Sequence, residues 1–190
     1  MSGDELNLSS ELKRRGALLE GHFRLSSGRH SDRFVQKFRV LEDPALLGPV
    51  GRAMADRFRA QRPTIVVSAA VGGILLGYEV ARHLGVKAIF VEKENGAPVL
   101  RRGFTLSSSD RALVVEDVVT TGLSVGEVIE VVRRHGAQLV GVGAMVMRAA
   151  ADFGAPTHAL LDLPLRSFAE NECPLCAAGE PLTDPGSRRA

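Results

Sequence analysis

The sequence predicts an α/β fold: a parallel sheet with helices on both faces, a small N-terminal element before it and an irregular C-terminal tail after it. Three observations predict it. Short, continuously apolar runs recur along the chain, helical patterns separate them, and glycines punctuate their ends. Runs without polar alternation suit strands covered on both faces, and strands that alternate with helices form parallel sheets. The 190 residues suit one domain. Within it, residues 1–42 read as the N-terminal element, 43–166 as the α/β core and 167–190 as the tail.

Ser9 or Ser10 can cap a first helix with the apolar set Leu12, Leu18 and Leu19, ending at Gly21. Ser26-Ser27-Gly28 is a turn signal between two short strands. Asp43-Pro44 starts a helix, a capping carboxylate followed by proline at the first helical position. Its apolar face is Leu47, Val50, Met54 and Phe58, and it ends near Arg59.

Strands follow at residues 64–68 (TIVVS), 87–91 (KAIFV), 111–116 (RALVVE) and 139–147, with a possible fifth at 158–161. Helices fall at 73–84, stopped by Gly85, and at 121–135, stopped by Gly136. Residues 92–103 interrupt the pattern with Asn95-Gly96 and Ala97-Pro98, which reads as a long hairpin or a mobile loop. Ligands of open α/β sheets bind beyond the carboxyl ends of the strands, so the site is expected after Ser68, Glu92, Glu116 and Met147.

Composition narrows the partners. Basic and acidic residues number 24 and 22, a formal charge of +2 that argues against a nucleic-acid or anionic-membrane partner. Residues 64–81 carry one charge, Glu79, but Gly72-Gly73 breaks the run, so a strand, turn and helix are expected instead of a membrane span. The polar N-terminus has no secretory pattern, and the chain reads as cytoplasmic.

The chemistry concentrates in residues 114–124 (VVEDVVTTGLS). An apolar strand delivers Glu116 and Asp117 to its exposed end. Thr120, Thr121, Gly122, Leu123 and Ser124 then open a helix, where free backbone N–H groups and hydroxyls make a phosphate cradle. The carboxylates would repel a phosphate, and suit sugar hydroxyls or a developing cation. Together they describe a phosphorylated sugar lying along the loop. No GxxxxGK[ST] is present, and Gly141-x-Gly143 lacks the third glycine of a dinucleotide fingerprint.

This string resembles the phosphoribosyl pyrophosphate signature of the type I phosphoribosyltransferases. The resemblance implies that Glu116 and Asp117 hold the ribose hydroxyls, and that the loop, with Val118 and Val119 leading into it, binds the 5-phosphate. Other segments are similar to the orotate phosphoribosyltransferase branch. They are residues 21–36 (GHFRLSSGRHSDRFVQ), 68–77 (SAAVGGILLG), 101–104 (RRGF) and 173–187 (CPLCAAGEPLTDPGS).

By that resemblance residues 1–42 form a hood. Ser68, Ala69, Ala70, Val71, Gly72 and Gly73 form a pyrophosphate loop with a strained peptide. Lys93, Arg101 and Arg102 sit on a closing loop, Lys93 matching a family lysine best. Arg148 and Thr120 face orotate. Arg148 also has its own logic: it ends a strand at the ligand face, and its planar fork suits a carboxylate. The resemblance further implies Mg²⁺, held by substrate without direct protein side-chain ligands, and a homodimer. The expected reaction is displacement at C1 of the ribose by N1 of orotate, with pyrophosphate leaving.

Two departures stand out. Many members carry lysines where this chain has Ser26 and Gly72, and its 92–103 loop holds one lysine, two arginines and no histidine. A purine-specific relative or a non-enzymatic sensor of the same fold are the alternatives. Arg148 and the 21–36 segment disfavour the first, and the balanced charge disfavours the second.

Cys173-Pro174-Leu175-Cys176 is a lone CxxC. A structural zinc site wants four ligands, and no second CxxC exists. His135 and His158 could approach in space, but an inert packing role is the primary expectation, with metal or a disulfide as alternatives. His135 falls at a helix C-terminus, where a partial positive charge is favourable.

Overall fold

The computed structural model describes residues 6–25 and 27–185. Ser26 and positions 186–190 lie outside the described residues, so the expectations placed on them stay in the sequence. In order, the elements are α1 (Leu8–Arg14), β1 (Leu18–Arg24), β2 (His30–Val35), α2 (Phe38–Leu41), α3 (Pro44–Phe58), β3 (Ile65–Ala69), α4 (Gly72–Leu84), β4 (Lys87–Glu94), β5 (Ala97–Leu100), β6 (Arg111–Val119), α5 (Leu123–Arg134), β7 (Gln138–Met147), β8 (Thr157–Asp162) and α6 (Pro174–Ala177).

Six strands form the main sheet in the order β5-β4-β3-β6-β7-β8. All neighbours are parallel except the β4–β5 hairpin. The apolar runs are buried on both faces, as their composition demands. Val66, Leu113, Val115 and Met145 pack with α3 and α4 through Val50, Met54, Phe58, Leu76 and Val80. Val67, Val114, Val142 and Ala144 pack with α5 through Val125, Val128, Ile129 and Val132. Adjacent strand residues thus serve opposite cores, the two-residue period of a strand.

Gly141 and Gly143 now have a packing reason. A Cβ on Gly141 would lie 2.5 Å from Phe58 Cε1, and one on Gly143 2.5 Å from Met54 Sδ. β7 is bare at these points so that α3 can seat its two largest core side chains against it.

The capping expectation at α3 holds: Asp43 Oδ1 accepts from Ala45 N at 2.8 Å, a cap worth about 1 kcal/mol. The first helix needs correction. Asn7, not Ser9 or Ser10, caps it, accepting from Ser10 N at 3.0 Å. It stops at Arg14 and leaves through Gly16 at φ 61°. Leu18 and Leu19 belong to β1. An adjacent leucine pair fits either period, and strand pairing with Val35 and Phe34 decides it.

The tail is also more ordered than expected. It runs along the β1–β2 hairpin through a parallel bridge, Phe23 to Thr183, and an antiparallel one, His30 to Phe168. A 3-10 turn and α6 lie between them in sequence.

Candidate active site

β6 lies between β3 and β7, so its end opens into the crevice of the sheet. The strand does not stop at Glu116 as expected. Val118 and Val119 continue the ladder with Val146 and Met147 of β7. The acidic pair therefore lies inside the strand and not at its exposed end: Glu116 is 7% and Asp117 1% exposed. On the other side the ladder ends at Ser68 and Val115. That open flank is where the carboxylates meet the loop after β3.

The approach is close enough to require glycine. A Cβ on Gly72 would collide with Asp117 Oδ2 and lie 2.7 Å from Lys37 Nζ. One on Gly73 would come within 3.3 Å of Glu116 Oε1 and 3.1 Å of Ser68 Cβ. The peptide between Ala70 and Val71 is cis. Each carboxylate also accepts from the next backbone amide: Asp117 N donates to Glu116 Oε1 at 3.0 Å, and Val118 N to Asp117 Oδ1 at 2.6 Å.

Lys37 is the residue that sequence reasoning missed. It precedes α2 and ion-pairs with Asp117 Oδ2 at 2.7 Å, its ammonium 5.6 Å from the Phe38 ring centroid. It brings a cation beside Gly72, within 2.7 Å of where a Cβ there would lie. No motif surrounds it, so only its match to the buried Asp117 reveals it.

The pair is electrostatically crowded. Burial first, and the adjacent Asp117 charge second, push Glu116 from 4.5 to about 8, with Lys37 acting the other way. The crowding favours the protonated form of Glu116.

Beyond Val119 the chain turns through Thr120, Thr121 and Gly122 into α5, with Thr120, Thr121, Leu123 and Ser124 exposed. No side chain caps this helix. Leu123 N has only a long 3.4 Å contact to Thr121 Oγ1. Its first-turn amides are thus available to an anion. A small cleft is lined by Glu116 and residues 118–125. A larger groove between α3 and α4, lined by Arg52, Arg57, Arg82 and His83, shares no residue with this cleft.

Arg148 follows β7, and its backbone N donates to Val119 O at 2.9 Å, beside Thr120. Its guanidinium is half-buried, burial lowers its pKa, and its Nε has no hydrogen-bond partner among the described residues. A desolvated cation with a free donor at a crevice is unusual unless a ligand completes it.

Of the basic residues of 92–103, Lys93 lies on a regular hairpin, and Arg101 and Arg102 follow directly after its second strand. Asn95 and Gly96 both have positive φ, 51° and 83°, as a type I′ turn requires. Lys93 pairs with Glu127 of α5 at 2.7 Å, Arg101 with Glu94 at 3.2 Å, and Arg102 with Glu92 through two bonds of 2.8 Å. The fold brings together the acidic pair, the glycine loop and the hydroxyl loop. It leaves these three cations on local acidic partners.

A parallel sheet whose crevice joins a buried acidic pair to an uncapped, hydroxyl-rich helix start is the architecture of a phosphoribosyltransferase. The phosphoribosyl transferase domain family matches residues 39–155. An orotate phosphoribosyltransferase of Caldanaerobacter subterraneus is 47% identical over 172 residues, 90% of each chain. That of Thermotoga petrophila is 48% identical over 179 residues, 93% of this chain and 96% of the relative. The crystal structure of orotate phosphoribosyltransferase from Aeropyrum pernix superposes with a TM-score of 0.69 at 26% identity, covering 81% of this chain and 92% of the other. The chain belongs to the orotate phosphoribosyltransferase family.

Proposed function

We propose that this enzyme transfers ribose 5-phosphate from phosphoribosyl pyrophosphate to orotate, yielding orotidine 5′-monophosphate and pyrophosphate in the cytoplasmic synthesis of UMP. The observation that carries the choice of base is Arg148, a half-buried guanidinium with a buried, unpartnered Nε beside Thr120. Its fork would hold the orotate carboxylate.

The remaining roles follow from charge and reach. The amides and hydroxyls of Thr120, Thr121, Gly122, Leu123 and Ser124 cradle the 5-phosphate. Glu116 and Asp117 accept from the ribose hydroxyls and face the cationic ring as it forms. The 68–73 loop, with Lys37 beside Gly72, receives pyrophosphate. Lys93, Arg101 and Arg102 exchange their carboxylate partners for the diphosphate when the hairpin folds over the crevice, excluding water.

Mg²⁺ fits this site as a substrate-borne ion. Two adjacent carboxylates offer hard oxygen donors but fewer than a protein cage needs. Carried by the diphosphate, it would neutralise the leaving group's charge, and Glu116 and Asp117 would be the carboxylates available to it.

A homodimer is part of the proposal. Val71, Leu75 and Tyr78 are 72%, 48% and 64% exposed and form one apolar stripe at the start of α4. Among the described residues no helix is long and apolar enough to cross a membrane.

The test is to supply Mg²⁺, phosphoribosyl pyrophosphate and one base at a time, following orotate by its absorbance against adenine, hypoxanthine and uracil. Orotate alone should be consumed. Turnover of a purine only, or of no base, would overturn the assignment. Arg148→Ala should raise KM for orotate by roughly 10–100-fold and leave that for phosphoribosyl pyrophosphate nearly unchanged.

A further inference from the structure

The CxxC of the tail has partners that sequence spacing did not reveal. They are His22 and His30 of the β1–β2 hairpin, and neither His135 nor His158 takes part. One ligand atom from each of His22, His30, Cys173 and Cys176 lies within 4.8 Å of all the others. His22, His30 and Cys173 are buried, Cys176 reaches solvent, and both thiols are free.

Four of the six separations among these atoms are close to the edges of a small tetrahedron. His22 Nε2 is 3.0 Å from His30 Nδ1, 3.5 Å from Cys173 Sγ and 3.6 Å from Cys176 Sγ, and His30 Nδ1 is 3.2 Å from Cys176 Sγ. Zinc bonds of about 2.0–2.1 Å to nitrogen and 2.3 Å to sulfur imply edges of roughly 3.3 Å between nitrogens and 3.6 Å between nitrogen and sulfur.

Hydrogen bonding alone does not account for the cluster. His22 Nδ1 faces the carbonyl of Glu180 at 2.9 Å, so that nitrogen carries the proton and Nε2 presents a lone pair inward. One lone pair cannot satisfy three neighbours. The carbonyl contact to His22 is the outer support that metal-binding histidines ordinarily have.

The backbone holds the four positions in place. Thr183 N donates to His22 O at 2.8 Å, and His30 and Phe168 exchange bonds of 2.9 and 2.8 Å. Cys173 caps the single turn of α6 that carries Cys176.

We propose that His22, His30, Cys173 and Cys176 form a structural zinc site that clamps the C-terminal tail to the N-terminal hairpin. Two thiolates and two neutral imidazoles close a tetrahedron and leave no position for substrate, as structural zinc sites do. None of the groups contacting the acidic pair (Lys37, Gly72, Gly73) belongs to it, so it is separate from any Mg²⁺ carried by substrate.

The test is the metal content of the full-length protein, purified with reductant and without chelator from zinc-containing medium. Wild type should hold about one zinc per chain, and Cys176→Ser below about a tenth of that. Cys176 is the exposed ligand, so its replacement spares the core, and His158→Ala should keep the metal. Cobalt in place of zinc should give the intense visible bands of a tetrahedral thiolate site, absent in Cys176→Ser. Should that variant be insoluble, a thiol-blocking mercurial on wild type should release about one zinc per chain to a chromogenic chelator. Wild type without zinc and without a tetrahedral cobalt spectrum would overturn the proposal, as would a Cys173–Cys176 disulfide in the intact protein.

Discussion

The acidic crevice and the β4–β5 hairpin carry opposite charges of one proposed site, and they are built in opposite ways. Glu116 and Asp117 are buried within a central strand and pressed against two glycines, and a single lysine pairs with Asp117. Lys93 stands on an edge hairpin and Arg101 and Arg102 just after it, each more than half exposed and paired with a carboxylate. Ion pairs of the second kind are weak and screened by salt, so a diphosphate can displace them. The buried pair is held before substrate arrives, at the cost of an elevated Glu116 pKa. Preorganised carboxylates suit a charge that develops only at reaction, and releasable cations suit a group that must bind and then leave.

The sharpest way to break this contrast is on the buried side. Asp117→Asn keeps shape and removes charge, and kcat/KM for phosphoribosyl transfer should fall at least about 100-fold. A loss under tenfold, with an unchanged melting temperature, would mean that the carboxylate only holds Lys37.

The hairpin should answer more mildly and without a stability cost. Lys93→Ala should lower kcat by roughly tenfold, about 1.4 kcal/mol in the barrier, with Arg102→Ala lowering it less. Melting temperatures should stay within about 1–2 °C of wild type, because surface changes of this kind rarely exceed about 0.5 kcal/mol. A large stability loss in either variant would make the hairpin a structural element.

A last effect is on stability against pH. Burial and the Asp117 charge raise Glu116 to about 8 in the folded chain from an ordinary 4.5. Between those values the folded state keeps a proton that the unfolded state has lost, so stability must fall as pH rises. Without ligand, the melting temperature should drop by several degrees from about pH 6 to 8, and Glu116→Gln should flatten that slope. Equal slopes in both proteins would place Glu116 as ionised throughout.

Much of this was legible without coordinates. Strand runs apolar on both faces, a capped Asp43-Pro44 start and Asn95-Gly96 each act through neighbours in sequence. The same is true of residues 114–124, where the acidic pair and the hydroxyl loop are contiguous. Leu18 and Leu19 misled because an adjacent pair satisfies either period until a partner strand chooses. Lys37 was invisible because its meaning comes from Asp117, 80 positions away. The cysteine pair looked incomplete, and His22 and His30 went unremarked, because each pair's match lies at the other end of the chain.

The sequence by itself determined which local structures form, where the hydroxyl-rich turn before α5 lies and which family the chain resembles. These depend on periodicity, caps and contiguous motifs, all short-range properties. Only the tertiary structure decided that Asp117 would be buried against Gly72 and Lys37, that Arg148 would keep an unmatched donor at the crevice, and that two histidines and two cysteines would converge. Those outcomes depend on which surfaces the packed cores bring together, and no spacing along the chain encodes that distance.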